Sequence, residues 1–463
     1  MMYIERFFIH KIDPKWVFFI IFSNLLLLVS CLKDDAISPV IFSFCLIILA
    51  IIILNGRDKD IDLFFIGFSV SLLYGLFLYY YYLQVNGAPF FNVPLSDDSS
   101  YERDGLEYAR LLGVFEYFNI SSTVVHSGHN SKGYVYIIGL IAKFSTFIGG
   151  YHTLLPRIFN AFIHGFCVVF LFRLMKIYDI SLERSFQVAV IFAFFPHLIY
   201  LSGHIYRDTI ICFAVVYCSY KALKPNTSLF DWVTVVGLIL VVSQLRFFSM
   251  LMLIACVMTA VIFVKIKSRS VRRVMIISSA VMLVLVVTLI SAVSGSFDGS
   301  IIQMLIDSQE HYTKLRTSTE YSTGLASTIL QMDFLPFGVI VRPLYLAINP
   351  LPFLDLKLPI FINGLGTILQ VLLFVFSFLF TLQNYQNRKF HPLFIMLWSL
   401  FLGISLTSFQ LRHMVMFYPF LFLLGSKGYF SNIMNKRLIL NIAFLTVVCG
   451  MFGIWLYVSI KWL

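Results

Sequence analysis

The sequence predicts an all-α, polytopic membrane protein with about 13 spanning helices, and three observations support that prediction. Hydrophobic residues make up 59% of the 463 residues. Charged residues make up only 12%, about half the share found in an ordinary soluble domain. Apolar runs that approach the roughly 20 residues needed for a spanning helix recur along the whole chain. Too little polar surface remains to keep such a chain in water.

Thirteen apolar segments are candidate spans. They are residues 16–32, 38–55, 63–83, 157–176, 185–203, 208–223, 229–245, 247–264, 274–293, 361–383, 393–409, 413–427 and 438–460. Two further apolar pieces, 134–149 and 336–349, are shorter and are interrupted, the first by Lys143 and the second by Arg342 and Pro343.

The basic residues predict which loops are cytoplasmic, because Lys and Arg collect on the inner side of membrane proteins. The clearest basic groups are the N-terminus, Arg57 with Lys59, the run from Lys265 to Arg273, Arg388 with Lys389, and Lys436 with Arg437. With a cytoplasmic N-terminus, three crossings place loop 84–133 outside. The chain must then cross the membrane an odd number of times to reach the cytoplasmic basic run. Counting 134–149 as a crossing would give six and leaving it out gives five, so we predict that 134–149 does not cross. We therefore expect an amphipathic helix in the outer interface at 134–149.

This topology predicts five regions along the chain. They are three N-terminal transmembrane helices (1–83), an outer catalytic loop with interfacial helices (84–156), a transmembrane core (157–293), a second outer loop (294–360) and the C-terminal transmembrane helices (361–463). In the second outer loop, Arg342 and Pro343 suggest a re-entrant or interfacial segment. Whether 336–349 spans the membrane is left open.

The outer loop 84–133 contains adjacent carboxylates, Asp97 and Asp98, at the start of a predicted short helix. Tyr101 and Glu102 follow within one turn. Acidic residues at a helix N-terminus also stabilise the helix, so capping on a solvated face explains the pair as well as catalysis does. The loop ends with His129 and its neighbours, which could contact a substrate head group or a metal ion.

Several arginines are predicted at the same outer face. Arg207 stands beside Asp208 near the end of a span, where a charge pair is costly without a partner. Arg246, Arg342 and Arg412 add further outer cations. The guanidinium fork matches phosphate oxygens, so arginines gathered around carboxylates suit a phosphate-bearing substrate. Each arginine taken alone is explained equally well as an interfacial anchor.

Other classes of chemistry find little support in the sequence. There is no Gly-rich phosphate loop, no Gly-x-Ser-x-Gly elbow and no His-Glu-x-x-His, which disfavours ATP hydrolysis, serine hydrolase and zinc peptidase activity. The seven cysteines lie in or beside apolar runs without ligand-like spacing, and we interpret them as small hydrophobic residues. The net charge of +11 follows from cytoplasmic basic loops, so nucleic-acid binding is not expected.

The order of these features resembles the C-type superfamily of integral membrane glycosyltransferases, which includes protein mannosyltransferases and lipid A aminoarabinose transferases. The similarity covers roughly residues 90 to 250. It rests on Asp97 and Asp98 with Tyr101 and Ala109, the interfacial helix after His129-Asn130, Gly149 or Gly150 before Arg157 and Asn160, and Pro196 and Ser202-Gly203 before Asp208. The chain departs from the family in lacking the proline of a His-Pro element. Its acidic loop also follows the third predicted crossing instead of the first.

The resemblance implies transfer of a sugar from a polyprenyl-phosphate-linked donor to a glycan or lipid acceptor at the non-cytoplasmic face. It implies a role in cell-surface polysaccharide or glycolipid biosynthesis in the bacterial inner membrane. Asp97 would be the base, Asp98 and Asp208 would orient the acceptor or a divalent cation, and no other cofactor is implied. The expected substrate-binding residues are Tyr101, Glu102, His129, Lys132, Arg157, Arg207, Arg246, Arg342, Arg412 and His413.

Two alternatives remain open from the sequence. An O-antigen or capsular repeat-unit polymerase would use the same compartment and a similar lipid-linked donor, and would differ in its acceptor. A transporter of lipid-linked oligosaccharides belongs to a different class, in which ionisable residues lie near the bilayer midplane and two halves are often related. Most charges here fall at the ends of predicted spans, and the sequence shows no internal repeat, which disfavours transport.

Overall fold

The computed structural model describes residues 13–33, 36–55, 58–91, 96–117, 131–266, 339–349, 358–407 and 411–431. All regular secondary structure within these ranges is helical, which confirms the all-α class for the part of the chain described. The chain forms two compact units. Unit 1 comprises Met1–Ile254 and Asp355–Gly366, and unit 2 comprises Ala255–Leu354 and Thr367–Leu463.

The described helices are numbered in chain order. The first ten are α1 (Pro14–Lys33), α2 (Ser38–Leu54), α3 (Asp58–Asn86), α4 (Asp97–Leu111), α5 (Lys132–Ser145), α6 (Leu154–Ile177), α7 (Leu182–Ala193), α8 (Pro196–Gly203), α9 (Asp208–Leu223) and α10 (Leu229–Leu245). The next are α11 (Phe247–Ala260) with a π-helical turn (Val261–Lys265), α12 (Val339–Ile348), α13 (Leu358–Asn384) and α14 (His391–Thr407). A 3-10 turn (Leu411–Met416) and α15 (Tyr418–Phe430) complete the set.

Five of the described helices are long and apolar enough to cross a membrane: α1, α3, α6, α11 with its π-helical turn, and α13. The bent pair α7 and α8 makes a sixth if it forms one span. Helices α2, α10 and α14 are apolar but shorter. The chain is therefore a helical membrane protein, whereas the number of 13 spans is not confirmed. The predicted spans 274–293 and 438–460 lie outside the described residues.

Two apolar segments noted in the sequence are not continuous spanning helices in the structure. The crossing predicted at 185–203 consists of α7 and α8, which meet at a bend of 51°. Pro196 begins α8, and Phe195 before it is extended, because the proline ring disfavours a helical conformation in the preceding residue. The segment around Pro343 forms the ten-residue helix α12. At 1.5 Å per residue, this helix reaches only about half the thickness of the hydrocarbon core.

Helices α3 and α6 form the centre of unit 1 and pack closely through small residues. A Cβ atom added to Gly67 would lie 2.9 Å from Val168 Cγ2, and one added to Gly165 would lie 2.7 Å from a ring carbon of Phe64. Such close approach of backbones is how transmembrane helices gain packing without a hydrophobic driving force. The ring of Phe64 contacts the rings of Phe162 and Phe166 along the same interface.

The two ends of unit 1 contain different sets of charged residues. Near the start of α3 and the end of α6, Arg173 Nη2 and Nε lie 2.7 and 3.1 Å from Asp60 Oδ2. Near the end of α3, the Tyr82 hydroxyl lies 3.1 Å from His204 Nε2. Arg157 and Arg173 on α6 are separated by about 24 Å at the helical rise per residue. Residues that the charge pattern assigns to opposite sides of the membrane thus lie at opposite ends of unit 1.

The helix predicted at 134–149 is present as α5, and it packs tightly against α4. A Cβ atom on Gly139 would lie 2.1 Å from a ring carbon of Tyr108, and one on Gly105 would lie 2.5 Å from Ile138 Cγ2. The fit requires glycine at both positions, because any side chain there would force the helices apart. The helix is therefore confirmed, and its place in the outer membrane interface stays a prediction.

The close packing of α3 on α6 predicts that Gly165→Ala destabilises the protein. The added methyl group meets the ring and backbone of Phe64, and overpacking of this kind costs about 1–3 kcal/mol. The matched control is Gly237→Ala on α10, where an added Cβ meets nothing within 4 Å. Thermal unfolding of the detergent-solubilised protein should show a lower midpoint for Gly165→Ala only. Equal midpoints for the two variants would contradict the packing described.

Candidate functional site

A cluster of buried and half-buried charged residues lies where several helix ends of unit 1 meet. It combines the start of α4, the starts of α6 and α9, the end of α10 and the loop between α8 and α9. We call it the carboxylate–arginine cluster, and its members are Asp98, Glu102, Arg157, Arg207, Asp208 and Arg246. The structure therefore brings six of the residues predicted from the sequence into one unit.

Asp98 is the most buried carboxylate of the cluster, with no exposed surface. Its Oδ1 accepts a hydrogen bond of 3.1 Å from the backbone N–H of Ser99. Its Oδ2 is buried and accepts no hydrogen bond from the described residues. Asp97, the neighbouring carboxylate predicted as the base, is half-buried. An unpartnered buried carboxylate oxygen is costly, and within this pair Asp98 is the member that carries one.

Asp208 and Arg246 form a buried ion pair. Asp208 is the first residue of α9, and Arg246 directly follows the last residue of α10. Arg246 Nη1 lies 3.0 Å from Asp208 Oδ1, and the carboxylate side chain is only 1% exposed. Neither carboxylate oxygen is in hydrogen-bonding geometry with a described residue. The pair balances charge, and it leaves lone pairs of Asp208 available to a polar ligand.

Arg207 is the arginine whose donors are least satisfied. Its Nε and Nη1 are buried and make no hydrogen bond with the described residues. Its guanidinium carbon lies 5.8 Å from the centre of the Tyr101 ring. Tyr101 is itself fixed, because its hydroxyl lies 3.1 Å from Ser131 Oγ and its ring meets Tyr134 edge to face. Arg207 therefore presents guanidinium donors from a rigid aromatic support.

Arg157 has a different set of partners, since its guanidinium binds backbone carbonyls. Nη1 donates to Gly203 at 3.2 Å and to Gly75 at 3.5 Å, and Nη2 donates to Pro89. These bonds join the start of α6 to α3, to the end of α8 and to the segment after α3. Arg157 therefore acts as a positively charged clamp beside the carboxylates, and its predicted contact with substrate stays a prediction.

Asn160 fixes the loop that carries Arg207. Its amide donates to the carbonyls of His204 and Tyr206 at 2.8 and 3.0 Å, and the same nitrogen lies 3.1 Å from the Tyr134 hydroxyl. The His204 ring in turn hydrogen-bonds to the Tyr82 hydroxyl and stacks on the Tyr206 ring. The aromatic shell of Tyr82, Tyr134 and Tyr206 was not predicted from the sequence as part of the site. The run of tyrosines at the end of α3 is the signal that could have indicated it.

Glu102 lies one helical turn after Asp98 and is also buried. The Tyr151 hydroxyl donates to its Oε1 at 2.7 Å. Burial raises the pKa of the Glu102 carboxyl, while Tyr151, Thr153 and Arg157 oppose that shift and the charge of Asp98 adds to it. Burial is the largest of these effects, so Glu102 retains a proton to higher pH than an exposed glutamate.

Five further residues were predicted from the sequence to bind substrate. Lys132 is exposed at the first position of α5, and His129 lies outside the described residues. Arg342, Arg412 and His413 belong to unit 2, where Arg342 is buried in α12 and the other two are half-buried in the 3-10 turn. Their proposed contacts with substrate stay predictions.

The chemistry open to the cluster is proton acceptance and anion binding. An unpartnered carboxylate oxygen on Asp98 can take a proton, and the guanidinium nitrogens of Arg207 can bind phosphate oxygens. In the described part of the chain, no group of three or more His, Cys, Asp or Glu residues is arranged to hold a metal ion. The divalent cation considered from the sequence stays a prediction.

The raised pKa of Glu102 predicts a pH-dependent contribution to stability. Because the folded protein holds the Glu102 proton more tightly than the unfolded chain, this contribution is present at low pH and is lost as the pH rises through the raised pKa. Glu102→Gln removes the titration and keeps an acceptor oxygen for Tyr151. Its unfolding temperature should fall less than that of the normal protein between mildly acidic and alkaline pH. Glu107→Gln, on the same helix, serves as the control, and parallel curves for Glu102→Gln and the normal protein would refute the effect.

No family model, no curated protein and no solved structure matches the chain. The likeness to membrane glycosyltransferases therefore remains a resemblance of sequence features, and the function has to follow from the chemistry of the carboxylate–arginine cluster.

Proposed function

We propose that this protein is a membrane glycosyltransferase that moves a sugar from a polyprenyl-phosphate-linked donor to a glycan or lipid acceptor. The reaction takes place at the non-cytoplasmic face of a bacterial inner membrane, in a chain whose N-terminus is cytoplasmic. The supporting observation is the unpartnered Asp98 Oδ2, buried in the same cluster as the unsatisfied guanidinium nitrogens of Arg207. The end products are cell-surface polysaccharide or glycolipid.

Several buried polar atoms of the carboxylate–arginine cluster lack hydrogen bonds, and this has an energetic cost. A buried carboxylate or guanidinium without full hydrogen bonding lowers the free energy of unfolding by on the order of several kcal/mol. Asp98, Arg207 and Asp208 all retain unsatisfied buried atoms. Functional sites keep such groups because the ligand completes them. A ligand that supplies both hydroxyl donors and anionic acceptors fits this set, and a sugar linked to phosphate has both.

In the proposed reaction, Asp98 Oδ2 takes the proton of an acceptor hydroxyl while the hydroxyl oxygen bonds to the anomeric carbon of the donor sugar. The bond between that carbon and the phosphate oxygen breaks, and its electron pair leaves with the lipid phosphate. Phosphate is already a good leaving group, so one base suffices, in contrast to the paired carboxylates of glycosidases. Because Asp97 is only half-buried, we assign the base to Asp98 instead of Asp97.

The arginines stabilise the charge that develops on the departing phosphate. Arg207 provides unsatisfied donors, and Arg246 adds a second guanidinium that pairs with Asp208 at 3.0 Å. Donors that are already in place when charge develops are the largest single contribution in many enzymes. Asp208 and Glu102 then orient the acceptor, and Arg157 supports the carboxylates electrostatically. The lipid tail of the donor would lie among the apolar helices.

The position of the cluster also bears on the alternatives. Arg157 is the fourth residue of α6 and Asp208 is the first residue of α9, so the charges gather at helix ends. A transporter of lipid-linked oligosaccharides would need ionisable groups near the middle of its spans. A repeat-unit polymerase would use the same donor chemistry with a longer acceptor, and product analysis separates it from a single-sugar transferase.

The assignment of the base predicts that Asp98→Asn loses activity and that Asp97→Asn keeps most of it. Removing a general base costs about 10²–10⁴-fold in rate. The measurement is mass spectrometry of glycans and lipid-linked products in a deletion strain that carries each variant at normal abundance. The two neighbouring carboxylates are matched controls for each other, since both changes are the same.

Each outcome of this comparison has a distinct meaning. Loss of one sugar decoration supports the transferase, while loss of chain length with accumulated single repeat units supports the polymerase. Inactivity of Asp97→Asn with full activity of Asp98→Asn would return the base to Asp97. Full activity of both variants would remove the proposed reaction and favour transport.

The phosphate-binding role predicts a graded response at Arg207. Arg207→Gln should reduce product formation by about 10²–10³-fold, because a preorganised donor to the leaving group is lost. Arg207→Lys should recover part of that loss, since it restores the charge without the planar fork. The control is Arg103→Gln, whose side chain is 56% exposed on α4. Equal activity of Arg207→Gln and Arg103→Gln would show that Arg207 does not contact the phosphate.

A further inference from the structure

A second polar site lies at the opposite end of unit 1 from the carboxylate–arginine cluster. It is a cleft of about 560 Å³, formed by the start of α3, the end of α6, the start of α7 and the end of α9. This volume falls within the range of about 300–1,000 Å³ for small-molecule sites. Its charged lining residues are Asp58, Lys59, Asp60, Arg173, Lys176 and Lys224. We call it the basic cleft.

The basic cleft contains more positive charge than its own carboxylates neutralise. Arg173 and Asp60 pair closely, with nitrogen–oxygen distances of 2.7 and 3.1 Å, and cancel each other. Three lysines then face one remaining carboxylate, Asp58, which leaves an excess of two positive charges (3 − 1 = 2). That excess matches the charge of a phosphate monoester or of a lipid with two phosphate diesters.

Aromatic and apolar side chains form the other part of the wall. Lys176 Nζ lies 5.3 Å from the centre of the Phe172 ring, which lines the cleft, and Lys59 Nζ lies 4.9 Å from the centre of the Phe186 ring, which does not. Such cation–π contacts contribute only about 0.5–1 kcal/mol at exposed sites, so an anion can compete for these lysines. Phe172, Ile177 and Leu182 line the same cleft. A ligand that fits it is anionic at one end and apolar at the other.

We propose that the basic cleft binds the phosphate headgroup of an anionic membrane lipid. Lys59 belongs to a basic group that the charge pattern places on the cytoplasmic side, and Lys176 and Lys224 line the same cleft. Basic pockets between helices on that side bind the headgroups of anionic lipids. Inorganic phosphate offers the same charge, but it does not use the apolar wall. This site is independent of the glycosyl transfer proposed above, because it lies at the other end of α3, α6 and α9.

The test is native mass spectrometry of the full-length protein in neutral detergent, titrated with cardiolipin and, separately, with phosphatidylcholine. Cardiolipin should bind more tightly than phosphatidylcholine. Each lysine near an anionic lipid contributes roughly a fivefold change in affinity, so Lys176→Gln together with Lys224→Gln should weaken cardiolipin binding about 30-fold. Arg184→Gln is the matched control, because Arg184 lies in the first turn of α7 and does not line the cleft.

Three results would overturn the proposal: equal cardiolipin affinity in the double variant and in Arg184→Gln, equal binding of the two lipids, or complete displacement of cardiolipin by inorganic phosphate. The last would identify a free-phosphate site. If the double variant does not fold, Lys176→Gln alone still tests the site, since Lys176 is exposed and a fivefold loss is expected. Because Asp98 plays no part in this binding, Asp98→Asn should bind cardiolipin normally even if glycosyl transfer is disproved.

Discussion

The cost of burying charge in a helical membrane protein is the constraint on which the rest of this structure depends. A buried ion must find a partner or remain unfavourable by several kcal/mol, on the usual scale for such groups. At one end of unit 1 the Arg173–Asp60 pair meets this cost, because Arg173 donates twice to Asp60. At the other end, Asp98 and Arg207 keep buried atoms without hydrogen bonds among the described residues. The first arrangement stabilises a fold, and the second is suited to a ligand.

The close packing of the central helices of unit 1 positions the residues of the carboxylate–arginine cluster. Arg157 reaches the carbonyls of Gly75 and Gly203, and both residues lie where backbones approach closely. A Cβ atom on Gly203 would lie 2.9 Å from a ring carbon of Tyr74, so a larger residue would push α8 away from α3. The loop after α8 would then move, and Arg207 is part of that loop. The packing of small residues in the core therefore determines the position of a guanidinium in the cluster.

Sequence reasoning predicted the helical class, the helix at α5 and six members of the cluster, because these follow from apolar periodicity and from the cost of charge at helix ends. It did not predict which of Asp97 and Asp98 is more deeply buried. Adjacent residues on a helix differ by about 100° in direction, and the phase of a short helix is determined by its tertiary contacts. In α4 those contacts come from Gly105 against Ile138. The shell of Tyr82, Tyr134 and Tyr206 was not predicted, because aromatic runs in apolar segments indicate helix packing before they indicate a binding site.

Two carboxylates on one helix illustrate how environment separates roles. Asp98 and Glu102 are four residues apart on α4, so they project from the same face. Glu102 receives the hydroxyl of Tyr151, and burial raises its pKa, which favours the protonated carboxyl. Asp98 receives only the N–H of Ser99 at Oδ1 and keeps Oδ2 unpartnered among the described residues. The different surroundings of the two carboxyls separate their roles in the proposed reaction, in which Asp98 alone acts as the base.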